Sequence, residues 1–328
     1  MRMDAEAGAL MPFDFSQILE SVPELKKFNI QIDTHTFDTL IDSSNVDPQL
    51  WVKLAQIIKE NYSRYDGFVI LHGTDTMSYT ASALSFIIDG LDKPVILTGS
   101  QLPIGVPRTD GRENLISSVE IAAAKDEHGN AKVPEVCIFF GGELMRGNRT
   151  TKINAESFRA FSSPNYPPLA QAGINIRYSD GLIRKSQSSS IGISVNTSLD
   201  TRVSILKLHP GITPHVVRNI LLGADTRAVI IETYGSGNAP SAEWFLGAVR
   251  EAVQMNKIVV NVTQCPAGKV DMDIYATGKN MKNAGVISGA DSTTEAMLAK
   301  LFCLLGSGNS NEWIAGRLVS NLKGEITI

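Results

Sequence analysis

The chain has 328 residues, of which 43 % are hydrophobic and 20 % are charged, and its formal net charge at pH 7 is -4. This composition is typical of a globular protein of about two domains. The acidic balance argues against nucleic-acid binding, which normally needs a basic patch, and no apolar run reaches the roughly 20 residues of a membrane-spanning helix.

Strand-like and helix-like segments alternate through the first half of the chain. FVILHG, PVILTG and EVCIFFGG predict buried strands, because each is a continuous apolar run that ends in glycine. Helices are predicted around them, over residues 48–61, 78–89 and 111–125. This alternation predicts parallel strands joined by helices in a layered α/β fold.

The stretch 179–200 is rich in Ser, Gly and Asp and predicts a linker or a long exposed connection. After it, RVSILKL, RAVIIET and KIVVNVT predict strands, and three further segments predict helices. Ser292 and Glu295 fit a capping box at the start of the last of these helices. We therefore predict a parallel-sheet-rich, three-layer N-terminal domain over 1–199 and a smaller α/β domain over 200–328.

The segment HGTDT lies where a predicted strand meets a helix, and ligands of open α/β sheets bind beyond such strand ends. In one interpretation Thr76 or Asp75 caps the helix. In the other, Thr74 and Asp75 face a pocket. The carboxylate then holds a substrate ammonium group, and the hydroxyl attacks a carbonyl or orients water once a base activates it.

Two further segments each allow a structural and a functional interpretation. In LIDSSN, Ser43 either belongs to a Ser/Asn turn before a helix or binds a substrate carboxylate. In MRGNRTTKIN, Arg146, Arg149 and Lys152 fit a solvated surface loop, whereas in the functional interpretation Lys152 is the base that Thr74 needs. Desolvation or transient exchange would have to remove a proton from Lys152, although Asp75 nearby favours its charged form.

The segment TGSQLPIGVPRTDGRENL is rich in Gly and Pro and predicts a loop with a mainly architectural role. Arg108 and Asp110 are expected to pair within it, and the backbone around Ser100 is in a position to line a pocket. The three cysteines and five histidines show no ligand spacing, so we predict no metal site. No nucleotide-binding loop of convincing pattern is present.

The ordered motifs resemble the bacterial asparaginase family, most closely its type I, cytosolic branch. They are GFVILHGTDTMSYTASALSF, KPVILTGSQLPI, RTDGRENL, RGNRTTK, YGSGNAP, TQCPAGKV and YATG, which together span nearly the whole chain. The resemblance implies hydrolysis of L-asparagine to L-aspartate and ammonia without a cofactor. It also implies a cytoplasmic homodimer or homotetramer that needs neither nucleic acid nor membrane as a partner.

The resemblance further implies roles for individual residues. Thr74, Asp75 and Lys152 correspond to a catalytic triad, in which Asp75 also holds the substrate ammonium group. The residues implied to bind substrate all follow predicted extended segments, and they are Asp42, Ser43, Ser44, Thr74, Asp75 and Ser100.

One family feature is missing from this sequence. The family carries a second nucleophilic threonine in a Thr-Gly-Gly-Thr-Ile loop after its first strand, and the 328 residues contain no such loop. We expect the full polypeptide to carry that strand and loop ahead of Met1. The alternative is a catalytically impaired homologue that binds an amino acid without cleaving it.

An effector site is the last implied feature. Some type I members bind a second asparagine between subunits, and Thr151, Thr263, Gln264 and Cys265 match positions near that site. The arginine expected in the strand before YGSGNAP is replaced by Glu232, which would repel an effector carboxylate.

Overall fold

The computed structural model describes residues 2–4, 9–11, 22–186 and 192–327. The chain divides into two compact units between Val195 and Asn196. Each unit combines a sheet containing parallel strands with packed helices, so the two-domain α/β fold predicted from the sequence is confirmed. No helix in the described ranges is both long and apolar enough to span a membrane.

The strands in the described part of the first unit are short. In chain order they are β1 (Arg2–Asp4), β2 (Ala9–Met11), β3 (Phe68–Leu71), β4 (Ile88–Asp89), β5 (Val95–Thr98), β6 (Val136–Phe140), β7 (Glu143–Arg146), β8 (Thr151–Lys152), β9 (Phe161–Ser162), β10 (Ala170–Ala172), β11 (Ile176–Tyr178) and β12 (Ser194–Val195). Six of them form the main sheet in the order β11-β10-β7-β6-β5-β3, and the remaining strands form antiparallel pairs, β1 with β2, β4 with β12 and β8 with β9.

The main sheet is only partly parallel. Strands β3, β5 and β6 run parallel, whereas β7, β10 and β11 are antiparallel to their neighbours. The change of direction occurs at Gly141 and Gly142, which join β6 to β7 and have φ values of 58° and 85°. Two glycines with positive φ allow a two-residue hairpin, which replaces the helical crossover that the alternating pattern predicts.

Three helices of the first unit have buried faces. They are α1 (Pro48–Asn61), α2 (Met77–Ile87) and α3 (Gly111–Ala123). Asp47 caps α1 by accepting a hydrogen bond from the backbone N–H of Leu50 at 2.9 Å. Ten of the eleven residues of α2 are buried, so this helix is enclosed in the unit and its first turn is fixed in place.

The second unit is built on four parallel strands in sequence order. They are β13 (Val203–Lys207), β14 (Ala228–Thr233), β15 (Ile258–Thr263) and β16 (Ile287–Ser288). Alternate residues of β14 pack into separate apolar clusters, Val229 and Ile231 in one and Ala228 and Ile230 in the other. Both faces of this sheet are therefore covered, as is usual for parallel sheets.

Five helices surround that sheet. They are α4 (Pro214–Leu222), α5 (Glu243–Gln254), α6 (Ala276–Asn283), α7 (Thr294–Gly306) and α8 (Asn311–Leu318). The predicted Ser292–Glu295 capping box is wrong, because Thr293 is the N-cap of α7 and its hydroxyl accepts from the backbone N–H of Ala296 at 3.1 Å. The predicted connection 179–200 includes β12, and its residues 187–191 lie outside the described ranges.

Candidate active site

The loops after β3 and β5 leave the sheet side by side. The two strands are parallel and in register, and the backbone N–H of His72 donates to the carbonyl of Thr98 at 2.8 Å. A Cβ at Gly99 would lie 2.3 Å from the carbonyl oxygen of His72, so only glycine permits this approach. HGTDT and TGSQ are thus held next to each other at the carboxyl ends of their strands.

A three-residue contact lies at this edge. The Nζ atom of Lys152 is 2.8 Å from the hydroxyl oxygen of Thr74 and 2.7 Å from Oδ1 of Asp75. The Lys152 side chain is 19 % exposed, whereas that of Asp75 is 63 % exposed. A lysine far away in sequence therefore joins the hydroxyl to the carboxylate, while the carboxylate remains open to a ligand.

Lys152 is positioned by buried cations that precede it. Arg146 is buried and forms hydrogen bonds of 2.6 and 3.1 Å to the carboxylate of Glu135. Arg149 is buried too and donates to the carbonyl of Asn165 at 2.8 Å. The surface-loop interpretation is therefore wrong for these two arginines, which anchor the segment that leads into β8 and Lys152.

Ser43 is buried against the HGTDT loop. Its hydroxyl accepts from the backbone N–H of Asp75 at 3.4 Å, and its carbonyl accepts from the hydroxyl of Thr76 at 2.6 Å. A Cβ at Gly73 would lie 2.6 Å from Oγ of Ser43, so the close contact needs that glycine. Thr76 occupies the N-cap position of α2 without a side-chain capping bond, which leaves its hydroxyl for Ser43.

Asp42 shapes the turn that presents Ser43. Its carboxylate accepts from both the backbone N–H and the hydroxyl of Ser44, each at 2.8 Å. These hydrogen bonds, led by the backbone one, lower the pKa of Asp42 below its ordinary value. The turn interpretation of LIDSSN is thus correct, and the turn also places Ser43 at the site. The hydroxyl of Ser44 is bonded to Asp42.

Gln101 contacts the candidate site, although the sequence did not single it out. Its Oε1 accepts from the hydroxyl of Thr74 at 3.3 Å. Its backbone N–H lies 3.0 Å from both carboxylate oxygens of Asp110, and the N–H of Leu102 also donates to that carboxylate at 3.0 Å. Asp110 therefore holds the loop backbone, a role different from the local pairing with Arg108 that the sequence suggested.

Asn114 holds the loop in which Ser100 lies between Gly99 and Gln101. The side-chain amide of Asn114 donates to the carbonyl of Gly99 at 2.9 Å, and its carbonyl accepts from the N–H of Gly141 at 3.2 Å. Asn114, at the start of α3, thus ties together the loops that follow β5 and β6. The architectural interpretation of TDGRENL agrees with these contacts.

Comparison with known proteins identifies the family. The asparaginase N-terminal domain model matches residues 1–184, and the glutaminase/asparaginase C-terminal domain model matches residues 202–316. The chain is 45 % identical over 305 residues to L-asparaginase 1 of Escherichia coli K12, covering 93 % of this chain and 86 % of that protein.

The chain belongs to the asparaginase family. Its fold resembles the crystal structure of L-asparaginase I from Vibrio cholerae with a TM-score of 0.87 and 44 % identity, covering 96 % of this chain and 92 % of that one. The thermostable L-asparaginase of Thermococcus kodakarensis also has a TM-score of 0.87, at 33 % identity, with 98 % and 94 % coverage. These likenesses confirm the resemblance to the type I branch.

The residues of the predicted asparaginase effector site are divided between the two units. Thr151 is in β8 of the first unit. Thr263 is the last residue of β15 in the second unit, and Gln264 and Cys265 follow it. The hydroxyl of Thr263 accepts from the N–H of Cys265 at 3.0 Å, and the side-chain amide of Gln264 donates to the carbonyl of Glu232 at 2.8 Å.

The carboxylate of Glu232 is already engaged. It accepts from Nζ of Lys207 at 3.1 Å and from the hydroxyl of Thr294 at 2.7 Å. The negative charge that replaces the family's arginine is therefore paired within the second unit. In the described part of the chain, no group of three His, Cys, Asp or Glu side chains is arranged to hold a metal ion.

His72 holds the loop that follows β3 through contacts of both its ring nitrogens. Its Nδ1 is 2.6 Å from the carbonyl of Gly73 and its Nε2 is 2.9 Å from the hydroxyl of Thr80, which also accepts from the indole N–H of Trp51 at 3.0 Å. These partners suit a neutral ring that donates from Nδ1 and accepts at Nε2. Burial lowers the pKa of His72 below its ordinary value, which favours the same neutral form.

Proposed function

We propose that this chain hydrolyses L-asparagine to L-aspartate and ammonia, with Thr74, Lys152 and Asp75 as the catalytic triad. The observation that carries the proposal is the position of Lys152 Nζ, within hydrogen-bonding distance of both the Thr74 hydroxyl and the Asp75 carboxylate. A hydroxyl, a base and a group that orients the base form the usual arrangement for nucleophilic catalysis.

The charges of the substrate suit the surrounding groups. Free asparagine carries an ammonium group, a carboxylate and a neutral carboxamide. The exposed carboxylate of Asp75 binds the ammonium group, and the turn formed by Asp42, Ser43 and Ser44 binds the carboxylate through hydroxyl and N–H groups. The carboxamide then faces Thr74, with the backbone of Ser100 beside it.

Substrate binding also changes the charges around the Lys152 amine. Lys152 Nζ forms an ion pair with Asp75 at 2.7 Å, and a lysine in its cationic form cannot accept the Thr74 proton. The ammonium group of asparagine brings a second positive charge to the same carboxylate, which weakens the Lys152–Asp75 ion pair. We infer that ammonium binding makes Lys152 a better acceptor for the Thr74 proton at the moment the carboxamide is in place.

A second candidate is an asparaginase homologue that binds an amino acid without hydrolysing it. Such a homologue would keep the Asp75 carboxylate and the Asp42–Ser44 turn as its contacts with the amino acid.

Two further parts of the main proposal are a cytoplasmic homodimer or homotetramer and regulation by a second asparagine near Thr151 and residues 263–265. The similarity to L-asparaginases of type I supports them.

The test measures ammonia release from L-asparagine and L-glutamine by the purified chain, together with the affinity for L-aspartate. Asp75→Asn removes the charge that holds the ammonium group and should weaken aspartate binding about 10- to 100-fold. Asp66→Asn, which removes a carboxylate paired with Lys125 at 2.8 Å, is the matched control and should change nothing. Tight aspartate binding without ammonia release would favour the second candidate, and unchanged affinity in Asp75→Asn would contradict the ammonium role.

A further inference from the structure

A cavity opens next to the catalytic groups on the side of Gln101. Its volume is about 560 Å³, within the range of small-molecule sites and far above the space that a molecule the size of ammonia needs. The residues that line it include Gln101, Leu102, Pro107, Arg108, Glu156 and Phe158.

Both walls of the cavity continue from the catalytic loops. One wall contains Gln101, whose Oε1 contacts the Thr74 hydroxyl and whose backbone is bonded to Asp110. The other wall is the loop that follows Lys152, where Asn154 accepts hydrogen bonds from the backbone N–H groups of Glu156 and Ser157 at 2.8 and 2.7 Å. The cavity is therefore adjacent to the triad, and its walls have fixed backbones.

Some groups at the cavity lack partners within the part of the chain that the structure describes. There, Nε2 of Gln101 is buried and has no hydrogen-bond partner, although buried amide donors are nearly always paired. Among the described residues, neither the guanidinium of Arg108 nor the carboxylate of Glu156 forms an ion pair, and Phe158 exposes an aromatic ring at 37 %. These groups offer a ligand a donor, two charges and an apolar surface.

The backbone of Arg108 is also unusual. Its φ of 67° is in the left-handed region, which non-glycine residues adopt at a cost and which occurs frequently at functional sites. Glycine, asparagine or aspartate would adopt this turn with less strain. Arg108 lines the cavity from this turn.

We propose that this cavity binds the leaving group of substrates larger than asparagine, namely β-aspartyl dipeptides. This inference rests on the proposed function. With the aspartyl part at Asp75 and Ser43, the amide nitrogen faces the cavity. The leaving amino acid places its carboxylate on Arg108 and its side chain against Pro107 and Phe158, and Nε2 of Gln101 donates to one of its oxygens.

The reaction is the same hydrolysis with a different amine. The bond between the β-carbonyl carbon and the nitrogen breaks, and a bond from that carbon to the oxygen of water forms in its place. The nitrogen leaves with a proton from the water as the amino group of a free amino acid. No other reactant is required.

The test compares L-asparagine with β-L-aspartyl-L-phenylalanine and with its C-terminal amide, which lacks the carboxylate. Arg108→Gln removes the charge, and Arg108→Lys retains it as the matched control. We expect kcat/KM for the dipeptide to fall about tenfold or more in Arg108→Gln and to change less than about threefold in Arg108→Lys. Asparagine hydrolysis should be the same in the parent chain and in both Arg108 variants. The kcat/KM for the dipeptide amide should not change in Arg108→Gln.

A binding measurement separates this inference from the proposed function. Dipeptide affinity is measured in Lys152→Met and in the Lys152→Met/Arg108→Gln double variant, where turnover is not needed. A roughly tenfold loss in the double variant supports the subsite even if asparagine is not hydrolysed. Asparagine hydrolysis without dipeptide hydrolysis, or equal dipeptide affinity in the two variants, would overturn it.

Discussion

Two lysines of this asparaginase family member form close ion pairs in very different surroundings. Lys152 in the first unit lies 2.7 Å from Asp75, whose side chain is 63 % exposed. Lys300 in the second unit lies 2.6 Å from Glu325, and both side chains are completely buried. The distances are nearly equal, so the difference between the lysine proposed as catalytic and the fully buried lysine lies in their other partners.

The three donors of Lys300 are fully occupied. Besides Glu325, its Nζ donates to the carbonyls of Leu318 and Ser320 at 2.9 and 2.7 Å. Glu325 also accepts from the backbone N–H groups of Leu322 and Lys323. The pair therefore fastens the C-terminal segment to α7, and any loss of one partner leaves a buried charge unpaired.

Lys152 has fewer partners and more solvent. Within the described residues its Nζ contacts two acceptors, the Thr74 hydroxyl and the Asp75 carboxylate, so a third N–H is available to a ligand. A partly exposed lysine with two partners is able to exchange them, whereas a saturated one is not. Incomplete pairing, and not proximity to a carboxylate, therefore distinguishes the lysine that we propose to be catalytic.

Substitution of Lys152 should produce the largest effect on activity. We expect Lys152→Met to lower kcat for asparagine by about 10² to 10⁴-fold, because the Thr74 proton loses its acceptor. The free energy of unfolding should change by no more than about 1 kcal/mol, since the ion pair is solvent-exposed on the Asp75 side. Ammonia release and urea denaturation measure the two quantities.

Substitution of Lys300 should produce the opposite result. Lys300→Met leaves the buried charge of Glu325 unpaired and should lower the free energy of unfolding by about 3–5 kcal/mol. The kcat of the folded fraction should remain that of the parent chain. Lys125→Met, which removes a surface pair with Asp66, is the control and should cost at most about 1 kcal/mol. A similar cost for Lys125 and Lys300 would contradict the distinction.

The smallest expected effect is the contribution of His72 to the pH dependence of the free energy of unfolding. Burial lowers the pKa of His72 in the folded chain below its ordinary value of 6.5, so the unfolded chain binds this proton at a higher pH. The free energy of unfolding therefore decreases as the pH falls below about 6.5, until folded His72 is protonated as well. Denaturation at several pH values should show a shallower decrease in His72→Gln. An equally steep decrease in that variant would remove His72 as the cause.

Most of the fold was predictable because its signals are local. Buried apolar runs such as PVILTG mark strands, and periodic segments mark helices. The antiparallel half of the first sheet was missed because its direction depends on the two-residue turn at Gly141 and Gly142, where the alternating pattern suggested a crossover. The cap of α7 was shifted by one residue, since both Ser292 and Thr293 are capping residue types.

The contacts of the candidate site were predictable only where a sequence motif contains the residues involved. Thr74 and Asp75 stand in a strand-to-helix turn, and the resemblance to asparaginases supplied Lys152. Gln101 was missed because its contact with Thr74 depends on how Asp110 folds the loop. The buried positions of Arg146 and Arg149 were missed because a cluster of charges in sequence does not reveal a partner such as Glu135, eleven residues before Arg146.

The most direct measurement is a double-variant comparison of kcat for asparagine in Thr74→Val, Lys152→Met and the combined variant. If the two residues act as one unit, each single change costs about as much as both together, within about threefold. Losses that multiply in the combined variant, or a Thr74→Val chain that keeps its activity, would contradict the proposed role of the Thr74–Lys152 contact.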